Sequence, residues 1–243
     1  MRIGILLSGG TGSRIKSDIP KQYIEVGGKP IISYSLETLY KCVDRLQIVV
    51  APEWKEFVQA ECDKLAIKEV AFSVPGLTRQ FSVYNALKDA ESYAIEDTSV
   101  IIHDAARPNV SIETIEHCFS AIAEGHDGAL PVVKVNDTVY FSMDGNEITS
   151  LLDRTKLYAG QAPEAFDFKK YLLANERLVT RMWQAGGEYI VSPASEIFKI
   201  TGSTEPARLA GLDVVMVEGD DHNYKITTDA DLSRFKSEIE SGN

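Results

Sequence analysis

An α/β fold, with a mostly parallel twisted sheet flanked by helices, follows from three features of the sequence. Short, solidly apolar runs alternate with stretches of helical spacing through the first half of the chain. The runs lack the in–out alternation of a half-exposed strand, as strands covered on both faces require. Turns rich in glycine or charge follow several of the predicted strand ends, which is where open α/β sheets keep their ligands. At 243 residues and 44% hydrophobic content, the chain suits a single domain over 1–243.

The first strand, Ile3–Leu7, runs into Ser8-Gly9-Gly10-Thr11-Gly12-Ser13-Arg14, and Pro20-Lys21-Gln22 follows. Glycines let backbone approach a ligand closely, and successive loop N–H groups can converge on one anion. Arg14 and Lys21 add positive charge beside that loop, so the stretch suits nucleotide phosphates. It is not a Walker A loop, for no Gly-Lys-Ser/Thr occurs. It is not the dinucleotide fingerprint either, since the order is G-G-x-G-x-R and Pro20 interrupts the segment that follows.

Next come a helix over 30–41, a strand over 46–51, a helix over 54–65 and a strand over 70–74. A helix over 79–93, a strand over 100–103 and a helix capped by Ser111 follow. Ala129–Val135 is a further strand. The rhythm then breaks over 136–154, which reads as a hairpin turning through Asp144-Gly145-Asn146. An isolated two-stranded hairpin is marginal in water, so this arm is expected to pack against a second subunit. The C-terminal part is expected to hold a helix over 166–185, strands over 197–200, 214–217 and 224–227, and a last helix over 229–239.

Three further clusters carry chemistry. Gly76-Leu77-Thr78-Arg79-Gln80-Phe81-Ser82-Val83 follows the third strand, with Arg79 and Ser82 able to share a helix face. His103-Asp104-Ala105-Ala106-Arg107-Pro108 ends the fourth strand. There Asp104 suits a hydrated Mg²⁺, the two alanines leave room for a ribose, and Arg107 suits a phosphate. Asn223-Tyr224-Lys225-Ile226-Thr227 sets a lysine among polar residues.

Several classes are excluded. A net charge of −11 argues against a broad nucleic-acid surface. The three cysteines are scattered, without a C-x-x-C, and fit reduced thiols. His103, His117, His126 and His222 lack metal-ligand spacing, and no G-x-S-x-G occurs. The N-terminus has no signal-peptide pattern and no apolar run approaches 18 residues, so a cytoplasmic protein without membrane contact is expected.

Taken in order, these motifs resemble the nucleotidyltransferases that join CTP to a phosphorylated polyol, the methylerythritol-phosphate and ribitol-phosphate cytidylyltransferases. The resemblance covers nearly the whole chain and implies a Rossmann-like nucleotidyltransferase fold with a protruding β-hairpin arm. It implies that Ser8, Gly9, Gly10, Thr11 and Gly12 bind the nucleotide together with Gly76, Arg79, Ser82, Asp104 and Ala105. Gly76 and Ser82 would select cytosine, and Arg79 would order its segment. Arg14, Lys21 and Lys225 would be catalytic, and Asp104 would hold Mg²⁺. Arg107 would meet the polyol phosphate. The 136–154 arm would swap between the subunits of a homodimer, so that Thr138 and Arg154 serve the partner's acceptor site.

Two departures fall in segments that face the polyol in that family. Gly160-Gln161-Ala162-Pro163-Glu164 stands where the methylerythritol enzymes have Thr-Pro-Gln, and Ser192-Pro193-Ala194-Ser195 where they have an acidic stretch. Gly202–Arg208 is also outside the pattern. Ribitol 5-phosphate or a related alditol phosphate, a precursor for wall or capsule polymers, is therefore the expected acceptor. Methylerythritol phosphate, feeding isoprenoids, is the alternative. A non-catalytic nucleotide-binding protein on the same fold is the rival from another class, and intact Arg14, Lys21, Asp104 and Lys225 argue against it.

Overall fold

The computed structural model describes residues 1–10, 14–184, 200 and 202–242. Strand β1 (Arg2–Leu7) lies at the centre of the main sheet, between β4 (Arg45–Val49) and β6 (Ser99–Asp104), parallel to both. Outside β4 lies β5 (Val70–Ser73), again parallel. On the other side, β11 (Glu164–Asp167) is inserted antiparallel between β6 and β7 (Gly128–Lys134). The same edge of β7 continues against β10 (Tyr158–Gly160), while β12 (Val214–Glu218) runs parallel along its other edge. A small ribbon, β2 (Glu25–Val26) with β3 (Lys29–Pro30), stands apart.

Residue alternation along the central strands divides the core between the two faces. Leu6, Ile48 and Ile101 face α1 (Ile31–Tyr40), α2 (Lys55–Lys64) and α4 (Ile112–Ala123), where Leu36, Val58 and Ile115 complete one cluster. Ile5, Val49 and Ile102 face the opposite way. They meet Val83 and Leu87 of α3 (Arg79–Ala90) and Tyr171 of α5 (Phe168–Gln184), with Ala207 of the short α6 (Thr204–Leu209). A third cluster seats α7 (Asp229–Glu240) through Leu232 and Phe235 against Ile15, Val26 and Ile226.

Helix starts follow local chemistry. The side chains of Thr78, Ser111 and Thr228 accept from Phe81, Thr114 and Asp231 N–H groups at 3.3, 3.1 and 3.3 Å. At Thr228 the Asp231 carboxylate returns the contact to the Thr228 N–H at 2.8 Å, closing a capping box.

Three expectations need correction or limit. The helix expected from residue 166 starts at Phe168, because Glu164–Asp167 is taken up as β11. Residues 224–227 form no strand: Ile226 N–H donates to Ala106 O at 2.8 Å, and the segment lies on the loop after β6. Ile200 alone of the strand expected over 197–200 is described, and the 192–195 departure lies outside the described residues, as do Thr11 and Gly12.

The arm pairs only two residues a side, β8 (Tyr140–Phe141) with β9 (Ser150–Leu151). Its tip is set by Gly145 at φ +82° and by Asp144 Oδ1, which accepts from the Asn146 and Glu147 N–H groups at 2.9 and 3.0 Å. Met143 and Ile148 are 79% and 69% exposed there.

Candidate active site

The loops after β1, β5 and β6 converge on one rim, as expected, and enclose a cavity of about 440 Å³. Its floor is the glycine loop. Ser8 Oγ donates to Val49 O at 2.7 Å, tying the loop to β4. Gln22 Nε2 donates to the carbonyls of Ser8 and Gly10 at 2.6 and 2.8 Å, and Tyr23 Oη reaches Ser8 O at 3.0 Å. The Pro20-Lys21-Gln22 segment is thus a brace. Gln22 thereby takes up the carbonyls of Ser8 and Gly10. A Cβ on Gly9 would stand 2.6 Å from Pro75 Cβ, so the loops after β1 and β5 meet only because that residue is glycine.

Lys21 projects from the brace into the cavity beside Arg14, and its Nζ donates to Ile226 O at 2.6 Å. Burial, then Lys225 and Arg14, pull its ammonium down to about 8. A ligand bringing negative charge to the cavity would favour the charged form again.

Across the cavity, Ser82 Oγ accepts from Gly76 N–H and donates to Thr78 O, both at 3.0 Å, which folds the 76–82 turn onto itself. Asp104, the last residue of β6, sits among cations. Lys225 Nζ donates to its Oδ2 at 2.8 Å, Arg79 Nε to its Oδ1 at 3.4 Å, and Arg107 Nε lies 4.0 Å from Oδ2. Burial alone would raise the Asp104 carboxyl, but Arg79, Lys225 and Arg107 together hold it far below the usual range. His103 is fully buried, pushed down by that burial to about 4, and its Nε2 lies 3.0 Å from Arg107 O. It is therefore a neutral strut of the loop.

Asp104, Arg79 and Lys225 also border a second cavity, of about 470 Å³. Arg107 opens onto it and is steadied by donating from Nη1 to Asn223 O at 2.6 Å. Its far walls come from β10–β11 and α6. Gln161 is held at both ends by the Asp220 backbone, at 2.8 and 3.0 Å. Glu164 accepts from Ser203 N–H at 3.1 Å and from the Thr204 hydroxyl, and lies 3.8 Å from Arg79 Nη2. The polypeptide thus builds two chambers on one charged partition, a shape that suits two anionic reactants meeting end to end.

Most of the expected residues meet here: Ser8, Gly9, Gly10, Arg14, Lys21, Gly76, Arg79, Ser82, Asp104 and Lys225 line the first chamber and Arg107 the second. Ala105 does not line it. Its side chain is buried in the core and its N–H is spent on Leu7 O at 3.0 Å, so Ala106 forms that part of the wall. Thr138 and Arg154 border neither chamber of their own chain, and Arg154 Nη1 donates to Asn136 O at 2.6 Å within the arm. Sequence reasoning did not single out Glu164, Thr204, Glu205 and Arg208, which line the second chamber. The only signal was that their segments departed from the familiar pattern.

Among the described residues no group of three or more His, Cys, Asp or Glu could hold a metal ion unaided. Asp104 alone supplies an ionised carboxylate at the partition, which fits a Mg²⁺ that takes its remaining ligands from substrate phosphates and water.

Sheet order, the glycine loop with its lysine brace, and the paired chambers define a nucleotidyltransferase. The family model of IspD, 2-C-methyl-D-erythritol 4-phosphate cytidylyltransferase, matches residues 3–240, and the chain belongs to that family. It is 40% identical over 97% of its length to the bifunctional enzyme IspD/IspF of Granulibacter bethesdensis, of which it spans 56%. It is 28% identical to ribitol-5-phosphate cytidylyltransferase of Streptococcus agalactiae serotype III, covering 98% of this chain and 95% of that one. The crystal structure of 4-diphosphocytidyl-2C-methyl-D-erythritol synthase from Anaerococcus prevotii superposes with a TM-score of 0.78 at 23% identity, over 98% of each chain.

Proposed function

We propose that the protein transfers CMP from CTP to an alditol phosphate, ribitol 5-phosphate or a close relative, and releases pyrophosphate. The observation that carries this reading is the pair of chambers joined at Asp104, Arg79 and Lys225. CTP occupies the first and the polyol phosphate the second, so that the two phosphates meet at the partition. An acceptor phosphate oxygen attacks the α-phosphorus, and the bond to the β-phosphate oxygen breaks. A phosphate monoester has a second pKa near 6, so the nucleophile is largely ionised at neutral pH and needs no general base. A neutral, backbone-tied His103 accords with that.

The barrier is electrostatic. Two unit charges about 5 Å apart repel by roughly 3 kcal/mol at an effective dielectric of 20, and several such pairs arise here. Arg14 and Lys21 hold the triphosphate and the charge that develops at the α-phosphorus, Lys225 neutralises the α-phosphate, and Arg107 orients the incoming phosphate. Ser8, Gly9, Gly10, Thr11 and Gly12 cradle the nucleotide, and Gly76 and Ser82 flank its base. Asp104 would hold a Mg²⁺, which would supply further charge neutralisation.

In the same reading the chain is one nucleotidyltransferase domain. It dimerises through the 136–154 arm, whose Thr138 and Arg154 complete the partner's second chamber. The exposed Met143 and Ile148 are the apolar surface such an exchange would cover. In this reading the enzyme is cytoplasmic; no helix among the described residues is long and apolar enough to cross a membrane.

A second acceptor, 2-C-methyl-D-erythritol 4-phosphate, is favoured by the family model and by the 40% identical relative. Pyrophosphate release from CTP and Mg²⁺, measured against ribitol, methylerythritol and glycerol phosphates, tests the proposal. Turnover with ribitol 5-phosphate supports it. Turnover with methylerythritol phosphate alone replaces the acceptor, and CTP binding without turnover for any of them removes the enzymatic reading.

A further inference from the structure

We infer that Glu205 and Arg208, on α6, read the hydroxyls at the far end of the acceptor and thereby select an unbranched alditol phosphate. The inference rests on the proposed transfer reaction and names the side chains that would set its acceptor.

Most polar groups around the second chamber are already committed. Asp104 serves Lys225 and Arg79, Glu164 serves Ser203 and Thr204, and both ends of Gln161 are held by Asp220. Glu205 and Arg208 line the same chamber, three residues apart on one helix face. Among the described residues neither has an ion-pair partner within 4.0 Å, not even the other. A carboxylate can only accept hydrogen bonds and a guanidinium can only donate them. Together they satisfy successive hydroxyls, each of which does both.

Their platform is fixed. Tyr171 Oη donates to Ser203 O and Arg79 Nη1 to Ser203 Oγ, both at 2.7 Å, at the residue before α6. Ala207 is fully buried beneath the helix. The wall also includes Gly160, Ala162 and Gly202, which add little apolar surface, and Leu130 is its largest apolar side chain. A branch methyl directed at α6 would meet charge, and an acceptor lacking a hydroxyl would leave one of the two unpaired. Sites built to hydrogen-bond a hydroxyl discriminate strongly against analogues without it.

The test is steady-state kinetics of Arg208→Ala, Arg208→Lys and Glu205→Ala, with CTP and ribitol 5-phosphate varied separately. The expected result is a rise of tenfold or more in the KM for ribitol 5-phosphate in both alanine variants. The KM for CTP and kcat should stay within about twofold, and Arg208→Lys should recover part of the loss. An unchanged acceptor KM in both alanine variants overturns the inference, as does a parallel loss in both substrates' KM values, which marks a merely structural role. Wild-type protein that turns over none of the polyol phosphates would bring down the transfer reading itself, and the inference with it.

Discussion

Lys225 Nζ donates to Asp104 Oδ2 at 2.8 Å, linking the segment before α7 to the last residue of β6 across the partition between the two chambers. The relation is unequal. Asp104 also faces Arg79 and Arg107, so among the described residues removing it leaves Lys225 and Arg107 with no acid and Arg79 with Glu164 alone. Lys225 is one of three cations on that acid and is a third exposed. Asp104→Ala should therefore destabilise the protein by about 3 kcal/mol, the cost of breaking a buried pair from one side. Lys225→Ala should cost about 1 kcal/mol or less, yet lower kcat by about a hundredfold. Urea unfolding and pyrophosphate release on the same two variants check both statements, and equal stability losses would contradict the ordering.

The depressed Lys21 pKa gives a prediction in pH. Burial, Lys225 and Arg14 lower it to about 8, while Asp104 and Asp231 oppose the shift. In the free protein Lys21 loses its charge as pH rises through about 8, well below the range of an ordinary lysine. The KM for CTP should be flat below that value and rise above it. Lys21→Arg, which cannot titrate there, should abolish the break, whatever it does to the rate. The stability sign is opposite to that of a paired lysine. The charged form is disfavoured in the folded state, so this group's contribution improves as pH climbs from about 8 towards 10.5. A pH profile of CTP binding without a break in wild type would refute the assignment of Lys21 to the triphosphate.

How much of this was legible follows from how local each feature is. The glycine loop, Pro20-Lys21-Gln22, Asp104 and the Ser111 cap announce themselves by residue type and short-range spacing, although the bonds that Gln22 and Asp104 make reach 12 to 121 residues along the chain. β11 did not, because nothing in Glu164–Asp167 tells that it will separate β6 from β7 as an antiparallel strand. Tyr224–Thr227 has the composition of a strand, but a ladder needs a neighbour and this segment has only the loop at Ala106. Ala105 and Ala106 look equivalent in sequence, and which of them faces the ligand is decided by the Ala105 N–H continuing the bond to β1. The second chamber joins six separate stretches between Arg79 and Lys225, so Glu205 and Arg208 carried no signal beyond being unexpected.

Gly76 is placed where no side chain fits. A Cβ there would stand 2.4 Å from Phe81 Cβ and 2.7 Å from the Phe81 carbonyl carbon. The clash is partly with helix backbone, so the 76–82 turn must move and its bond to Ser82 Oγ must break. Gly76→Ala should weaken CTP binding by about tenfold or more, in keeping with the roughly 1–3 kcal/mol cost of overpacking. Acceptor binding in the second chamber should stay unchanged. Calorimetric titration with each substrate separates the two, and equal losses in both would mean that the substitution disturbs the whole rim.

Arg154 gives the proposed exchange of arms a test by complementation. Alone, Lys21→Ala and Arg154→Ala should each lower turnover by about a hundredfold, the first through its own site and the second through its partner's. In an equimolar mixture, half of the dimers pair one variant with the other. In each such dimer the site with an intact Lys21 receives an intact Arg154 from the neighbouring chain, while the other site lacks both. Unfolding and refolding the mixture should therefore restore about a quarter of wild-type turnover, as statistical pairing in a two-fold dimer requires. Recovery should vanish in a background of Met143→Asp with Ile148→Asp, which puts charge on the exposed arm tip and should yield monomers by sedimentation velocity. A mixture no more active than its parts, from a protein that sediments as a dimer, would mean that Arg154 does not act across the interface.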